Sequence, residues 1–204
     1  MRVFRTVISS LLIGSALLSF TACAPKHDLS PKALADYMDD QGAEESDNAF
    51  EFYNTAINYG AGDYLYYVYG DTENFDGFES LVGYDERADE ITHCMQQEGE
   101  VHAYIWSLSF DQDDANDFYQ EQKDYYEIVY SDENVAIVTE SPNLEYILYA
   151  ESESDYTAVY HDCSTNSILC LDVHGGDEED TQELVDEFCK DFGVVSPTTL
   201  LNEE

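Results

Sequence analysis

The sequence predicts an α+β domain: an antiparallel sheet with helices packed on one face, ending in a β-hairpin followed by a helix. Three observations predict it. Helix start and stop residues frame apolar stripes near both ends of the chain, apolar runs of strand length lie between them, and the order strand, helix, strands, hairpin, helix suits an antiparallel sheet. The material for a core is present, with 44% hydrophobic residues including 17 Tyr and 10 Phe, so the chain is not a disordered acidic tail in spite of its charge.

Ser30 and Pro31 open the first helix as hydroxyl N-cap and first helical residue, with Ala33, Leu34, Tyr37 and Met38 on one side and Gly42 as the stop. Residues 44–47 read as a polar break. Phe50, Tyr53 and Ile57 then recur at helical spacing over 48–59, and Gly60 and Gly62 end that second helix. Residues 64–69 read as a strand, and 70–83, rich in Asp, Glu and Gly, as a surface loop. Residues 101–110 read as a strand. Asp111, Asp113 and Asp114 place negative charge at a helix start, which Phe118, Tyr119 and Tyr126 continue. Two further strands are expected at 135–139 and 146–149, then a hairpin of 156–163 and 168–174 around a turn at Asn166 and Ser167. Gly175, Gly176 and the acidic run 177–180 open the last helix, whose stripe of Leu184, Val185, Phe188, Cys189 and Phe192 is closed by Gly193. No repeat of fixed period occurs.

The N-terminus carries a different message. Arg2 and Arg5 precede an uncharged apolar run over 6–20, and the small residues Thr21 and Ala22 lead into Cys23. The run is shorter than the roughly 20 residues that span a bilayer, which makes residues 1–22 a secretory signal to be excluded from the fold. Phe20-Thr21-Ala22-Cys23 resembles the lipobox of bacterial lipoproteins, with Phe20 where Leu is usual. That resemblance implies cleavage before Cys23, diacylglycerol on its sulfur and a place on the extracytoplasmic face of the bacterial cell membrane, while length and the first helix start leave a tether over 23–29 and a single acidic domain over 30–204. Ala22-Cys23-Ala24 also reads as a site for ordinary release, against which Pro25 argues. Ser107-Leu108-Ser109-Phe110 with Asp113, Ala115 and Phe118, the run Asn166-Ser167-Ile168-Leu169, and the segment from Phe188 to Gly193 resemble small uncharacterised lipoproteins of Gram-positive bacteria. The resemblance spans 101–193 and the first helix, leaves 43–95 outside, and implies location and fold more than activity.

Charge excludes whole classes of partner. The chain has 7 Lys and Arg against 45 Asp and Glu, a formal charge of −38, and loss of Arg2 and Arg5 with the signal takes it to −40. Nucleic acid binding needs cations to neutralise phosphates, and the same charge repels anionic headgroups, which confines membrane contact to the lipid.

With Cys23 lipidated, Cys94, Cys163, Cys170 and Cys189 form an even set in an oxidising compartment, with three possible pairings. A two-residue turn at Asn166 and Ser167 puts Cys163 opposite Cys170 at disulfide distance and leaves Cys94 for Cys189. A pairing such as Cys170 with Cys189 and four unpaired thiols remain open. The same register sets His161 and His174 on the Cys163/Cys170 face, so these four are a candidate zinc set, although H-x-C followed by C-x3-H matches no common zinc knuckle and a flat ladder spreads the histidines. Cys189, on an apolar stripe, reads as a buried small hydrophobe.

The run 111–117 begins like an EF-hand loop, but Ala115 and Asn116 stand where a ligand and a glycine are needed, and helix capping accounts for both it and 177–180. No phosphate loop, nucleophile elbow or H-E-x-x-H run is present, and no motif asks for a cofactor. Tyr64, Tyr66, Tyr67 and Tyr69 alternate along a strand, so one pair fills the core while the other is free to offer rings to a sugar or peptide. The expectation is a lipid-anchored, non-enzymatic binding module for a cationic peptide, a basic protein or a cell-wall polymer. The alternatives are a wall or glycan hydrolase and a structural accessory domain.

Overall fold

The computed structural model describes residues 27–58, 63–75, 85–130 and 134–201. The expected signal over 1–22 and Cys23 lie outside the described residues. An eight-stranded sheet dominates, in the order β1-β2-β3-β4-β8-β7-β6-β5. Its strands are β1 (Glu44–Glu45), β2 (Tyr64–Asp71), β3 (Glu90–Glu98), β4 (Val101–Ser109), β5 (Val135–Ser141), β6 (Leu144–Ser152), β7 (Asp155–Asp162) and β8 (Ser167–Gly175). The helices are α1 (Pro31–Asp40), α2 (Ala49–Asn58), α3 (Gln112–Val129) and α4 (Glu178–Phe192). All pairings are antiparallel except the short β1 with β2. The sheet is two meanders, β2-β3-β4 and β5-β6-β7-β8, joined edge to edge where β4 meets β8. The α+β class, the antiparallel sheet and the terminal hairpin with its helix stand as expected.

The helices occupy both faces rather than one. On one face, Leu34 and Met38 of α1 and Val185, Phe188 and Cys189 of α4 pack on Ala103, Ile105, Ala158, Leu169, Leu171 and Val173. On the other, Phe52 and Tyr53 of α2 and Phe118, Tyr119 and Tyr126 of α3 pack on Trp106, Leu108, Val159, Ile168 and Cys170. Successive strand residues point to opposite sides, and here both sets are apolar, so a single helical layer would leave one set in water.

Local chemistry sets the helix ends. The Ser30 hydroxyl accepts from the Ala33 amide, Asp111 from those of Asp113 and Asp114, and Asp177 from that of Asp180, so the acidic runs serve as caps. Gly193 closes α4 at φ +66°, in the left-handed region. In α2 the buried stripe is Ala49, Phe52 and Tyr53, while Phe50 is 69% exposed. Of the predicted stripe, Tyr53 is buried and Phe50 is not, and the side chain of Ile57 lies outside the described residues.

Other local expectations change. Glu44 and Glu45, expected as a polar break, form β1 along the edge of β2. The expected loop begins with the end of β2 and a 3-10 turn over Thr72–Phe75 that buries Phe75; 76–83 lie outside the described residues. The described part of the tether is docked. Leu29 is fully buried, its carbonyl accepts from the Ser107 hydroxyl, and the Pro31 carbonyl accepts from Thr92 at 2.6 Å.

Candidate functional site

The β7–β8 turn decides where the candidate ligands fall. Residues 163–166 form it, so Asp162 pairs with Ser167, Val159 with Cys170 and Asp155 with His174. The register therefore differs from the predicted one, which set Cys163 against Cys170. A two-residue type I′ turn needs positive φ at both central residues, and here only Asn166 has it, at +55°. Asp162 organises the longer turn, accepting from the Ser164 amide at 2.8 Å and its hydroxyl at 2.6 Å. The slip is even, so faces are kept and partners are not.

As a result no disulfide joins the four cysteines, all of which are free thiols. Cys163 sits in the turn, and Cys170 is buried against the indole of Trp106, which donates to it. Cys94 is fully buried on the α1/α4 face, and Cys189 lies 3.4 Å from the Tyr160 hydroxyl. Burial raises the pKa of Cys94 and Cys170, and pushes Cys189 up to about 11. These three are packing groups, as expected for Cys189, and not nucleophiles.

The four-residue zinc set comes apart in the same way. His161 and Cys163 stay together, with Nδ1 and Sγ 3.6 Å apart, whereas Cys170 is buried on its own and His174 is at the far end of the hairpin. A residue without a sequence motif joins the first pair. Glu145 of β6 lies beside His161, and one ligand atom from each of Glu145, His161 and Cys163 falls within 4.8 Å of the other two. The Tyr119 ring from α3 covers His161 at 5.2 Å between centroids. Burial lowers the His161 pKa, against the opposing pull of Glu145 and Asp162, and raises that of Cys163, where the two carboxylates add to the effect. At neutral pH this is a neutral imidazole beside a protonated thiol, a poor nucleophilic dyad.

A second group of residues gathers at the opposite end of β7. On the α2/α3 face, Tyr104, His174 and His102 form a ladder, with Tyr104 and His174 stacked at 5.6 Å and His174 and His102 at 5.4 Å. Tyr64 and Tyr66 of β2 share this face, 5.9 Å apart. Burial and then the neighbouring Tyr104 raise the Tyr64 pKa. Tyr67 and Tyr69 point the other way, where their hydroxyls donate to Asp39 at 2.7 Å and to Glu90 at 3.1 Å. The alternation thus holds but the expected outward pair does not: Tyr66 is 8% exposed and Tyr64 packs beside it in the α2/α3 core, as Tyr67 and Tyr69 do on the α1 face. The shelf continues into a cavity of about 250 Å³ lined by Tyr149, Glu151, Asp155, Tyr156, Thr157, Asp172 and His174. Burial raises the Asp172 pKa, an effect His174 reduces.

A third titratable group is enclosed. His93 is 4% exposed among Phe52, Tyr53 and Trp106; its Nδ1 lies 2.7 Å from the Tyr53 hydroxyl, and its Nε2 has no partner among the described residues. Burial lowers its pKa to about 4.

Compared with protein-family models, with curated proteins and with solved structures, the chain matches none of them. Among the described residues no helix is long and apolar enough to cross a membrane.

Proposed function

We propose that the protein is an exported, lipid-anchored binding module whose acidic, tyrosine-bearing face takes cationic groups from a peptide, a basic protein or a cell-wall polymer. The cavity at the β6–β7–β8 end carries this reading. It brings Glu151, Asp155 and Asp172 together with the rings of Tyr149 and His174, beside the Tyr104–His102 ladder. Carboxylates attract an ammonium or guanidinium, and aromatic faces hold its desolvated side by cation–π contact worth about 0.5–1 kcal/mol per exposed ring. Three of the described cations, Lys32, Arg87 and Lys123, are already paired with neighbouring carboxylates.

The test is titration of the soluble fragment that follows Cys23 with oligolysine and, separately, with a neutral glycan oligomer. Oligolysine is expected to bind with affinity that falls as salt rises, and the double variant Asp155→Asn, Asp172→Asn to weaken it at least about tenfold, the size of one lost charge-assisted contact. Neutralising Glu178, Glu179 and Glu183 on α4 should leave it nearly unchanged. Equal losses from the two sets would reduce the effect to overall charge and defeat the site. Stronger binding of the neutral glycan would make the shelf a sugar platform.

The anchor has its own measurement. Cys23→Ser is expected to move the protein from the membrane fraction to the medium, because it removes the acyl chains and the charge repels headgroups. Continued membrane association of that variant would remove lipidation from the account.

A further inference from the structure

The cluster at the turn end of β7 is separate from the cationic-ligand cavity. Asp155 and His161 are six steps apart along extended strand, about 20 Å. Its three side chains are a carboxylate, an imidazole and a thiol, a donor set that suits zinc-like ions and has no use as an ion pair, since no Lys or Arg approaches it among the described residues.

Distance argues for a coordination site. Metal–sulfur and metal–nitrogen bonds of about 2.3 and 2.05 Å, opened to a tetrahedral angle, place sulfur and nitrogen about 3.6 Å apart. The Cys163 Sγ and His161 Nδ1 are 3.6 Å apart. The backbone is held to match. Glu145 and His161 are cross-strand neighbours, and the Cys163 amide donates to the Asn143 carbonyl at 2.9 Å, which fixes the first turn residue against the start of β6. Glu145 and Cys163 are partly exposed and His161 is 1% exposed, so the set has a dry floor and an open mouth.

An independent observation points into the same space. Tyr119 is 5% exposed, yet its hydroxyl has no hydrogen-bond partner among the described residues. Buried hydroxyls are almost always satisfied. Its ring lies on His161, and its hydroxyl is within electrostatic reach of Glu145 and Cys163. A water or hydroxide on an ion held by those residues would give that hydroxyl its partner.

We propose that Glu145, His161 and Cys163 bind one zinc-like divalent cation, with the fourth position open to a water that meets the Tyr119 hydroxyl. Binding releases the Cys163 thiol proton to solvent, and the resulting thiolate and the Glu145 carboxylate balance the two positive charges.

Cobalt(II) titrated into the metal-free soluble fragment, in millimolar magnesium, reads the site directly. The expected result is one equivalent bound, with thiolate-to-cobalt charge transfer and the intense visible bands of a tetrahedral ion. Cys163→Ser should abolish the charge-transfer band, and Glu145→Gln should weaken binding at least about tenfold while keeping it. Circular dichroism checks that both variants fold, and Glu145→Gln, on a partly exposed side chain, remains informative if Cys163→Ser does not. Loss of the cobalt signal to magnesium, a charge-transfer band that survives Cys163→Ser, or a Glu145→Gln variant with wild-type affinity would each overturn the proposal.

Discussion

Phe188→Ala is expected to destabilise the protein by about 3–5 kcal/mol, the range for removing a buried aromatic ring. Phe188 is 3% exposed, meets the Tyr37 ring edge-on at 5.6 Å and lies 4.7 Å from the Phe192 ring, so it links α1 to α4 over the sheet. A domain of this size should lose roughly 6–20 °C in melting temperature. Urea unfolding followed by circular dichroism checks it, with a lower midpoint and an unchanged slope as the expected result. Phe50→Ala is the companion measurement. That side chain is 69% exposed, and its removal should fall within about 0.5 kcal/mol of the parent. A comparable cost at the two positions would mean that the α2 face is misassigned.

The second large effect is acid sensitivity at His93. Its pKa is about 4 in the folded protein and about 6.5 in an unfolded chain. The unfolded state therefore binds a proton that the folded state refuses between these values. His93 favours the folded state fully above pH 6.5, and its contribution falls as pH drops towards 4, a change of about 3 kcal/mol. Burial lowers the His161 pKa as well, with the same sign. Carboxylate repulsion relaxes over the same window and acts in the opposite direction. The informative quantity is thus the difference between the parent and His93→Asn, whose amide can either donate to or accept from the Tyr53 hydroxyl. The variant should lose most of the positive slope of stability with pH between 4 and 6.5, measured by denaturant unfolding at fixed ionic strength. An unchanged slope would show that His93 is already solvated.

What could be read from the residues was local. Ser30 with Pro31, Asp111, Asp177 and Gly193 each act within one helical turn, and each caps where the sequence places it. What could not be read depended on partners distant in the chain. Residues 90–98 carry no strand alternation, because Ile91 packs under α2 while Thr92, bound to the Pro31 carbonyl, and Cys94 face α1, yet they form β3, an interior strand. The second helical layer was hidden for a related reason: only pairing of β4 with β8 brings Trp106, Leu108, Ile168 and Cys170 into one apolar surface. Glu145 has no motif and becomes a candidate ligand only through its strand neighbour His161, so knowledge of the β6–β7 register was the missing information. The histidine ladder of 102 and 174 is likewise a product of the seam, since these residues are paired across it. The cysteine pairing failed on one detail, the Asp162 side chain, which favours a four-residue turn over a two-residue one.

The staples from Ser107 and Thr92 to the carbonyls of Leu29 and Pro31 have a mechanical meaning. They grip the chain in the middle of the α1/α4 face, and the four Cα steps from Cys23 to His27 reach at most about 14 Å when fully drawn out. With the mooring at Cys23 as proposed, any pull on the body enters through β3 and β4 and not a sheet edge.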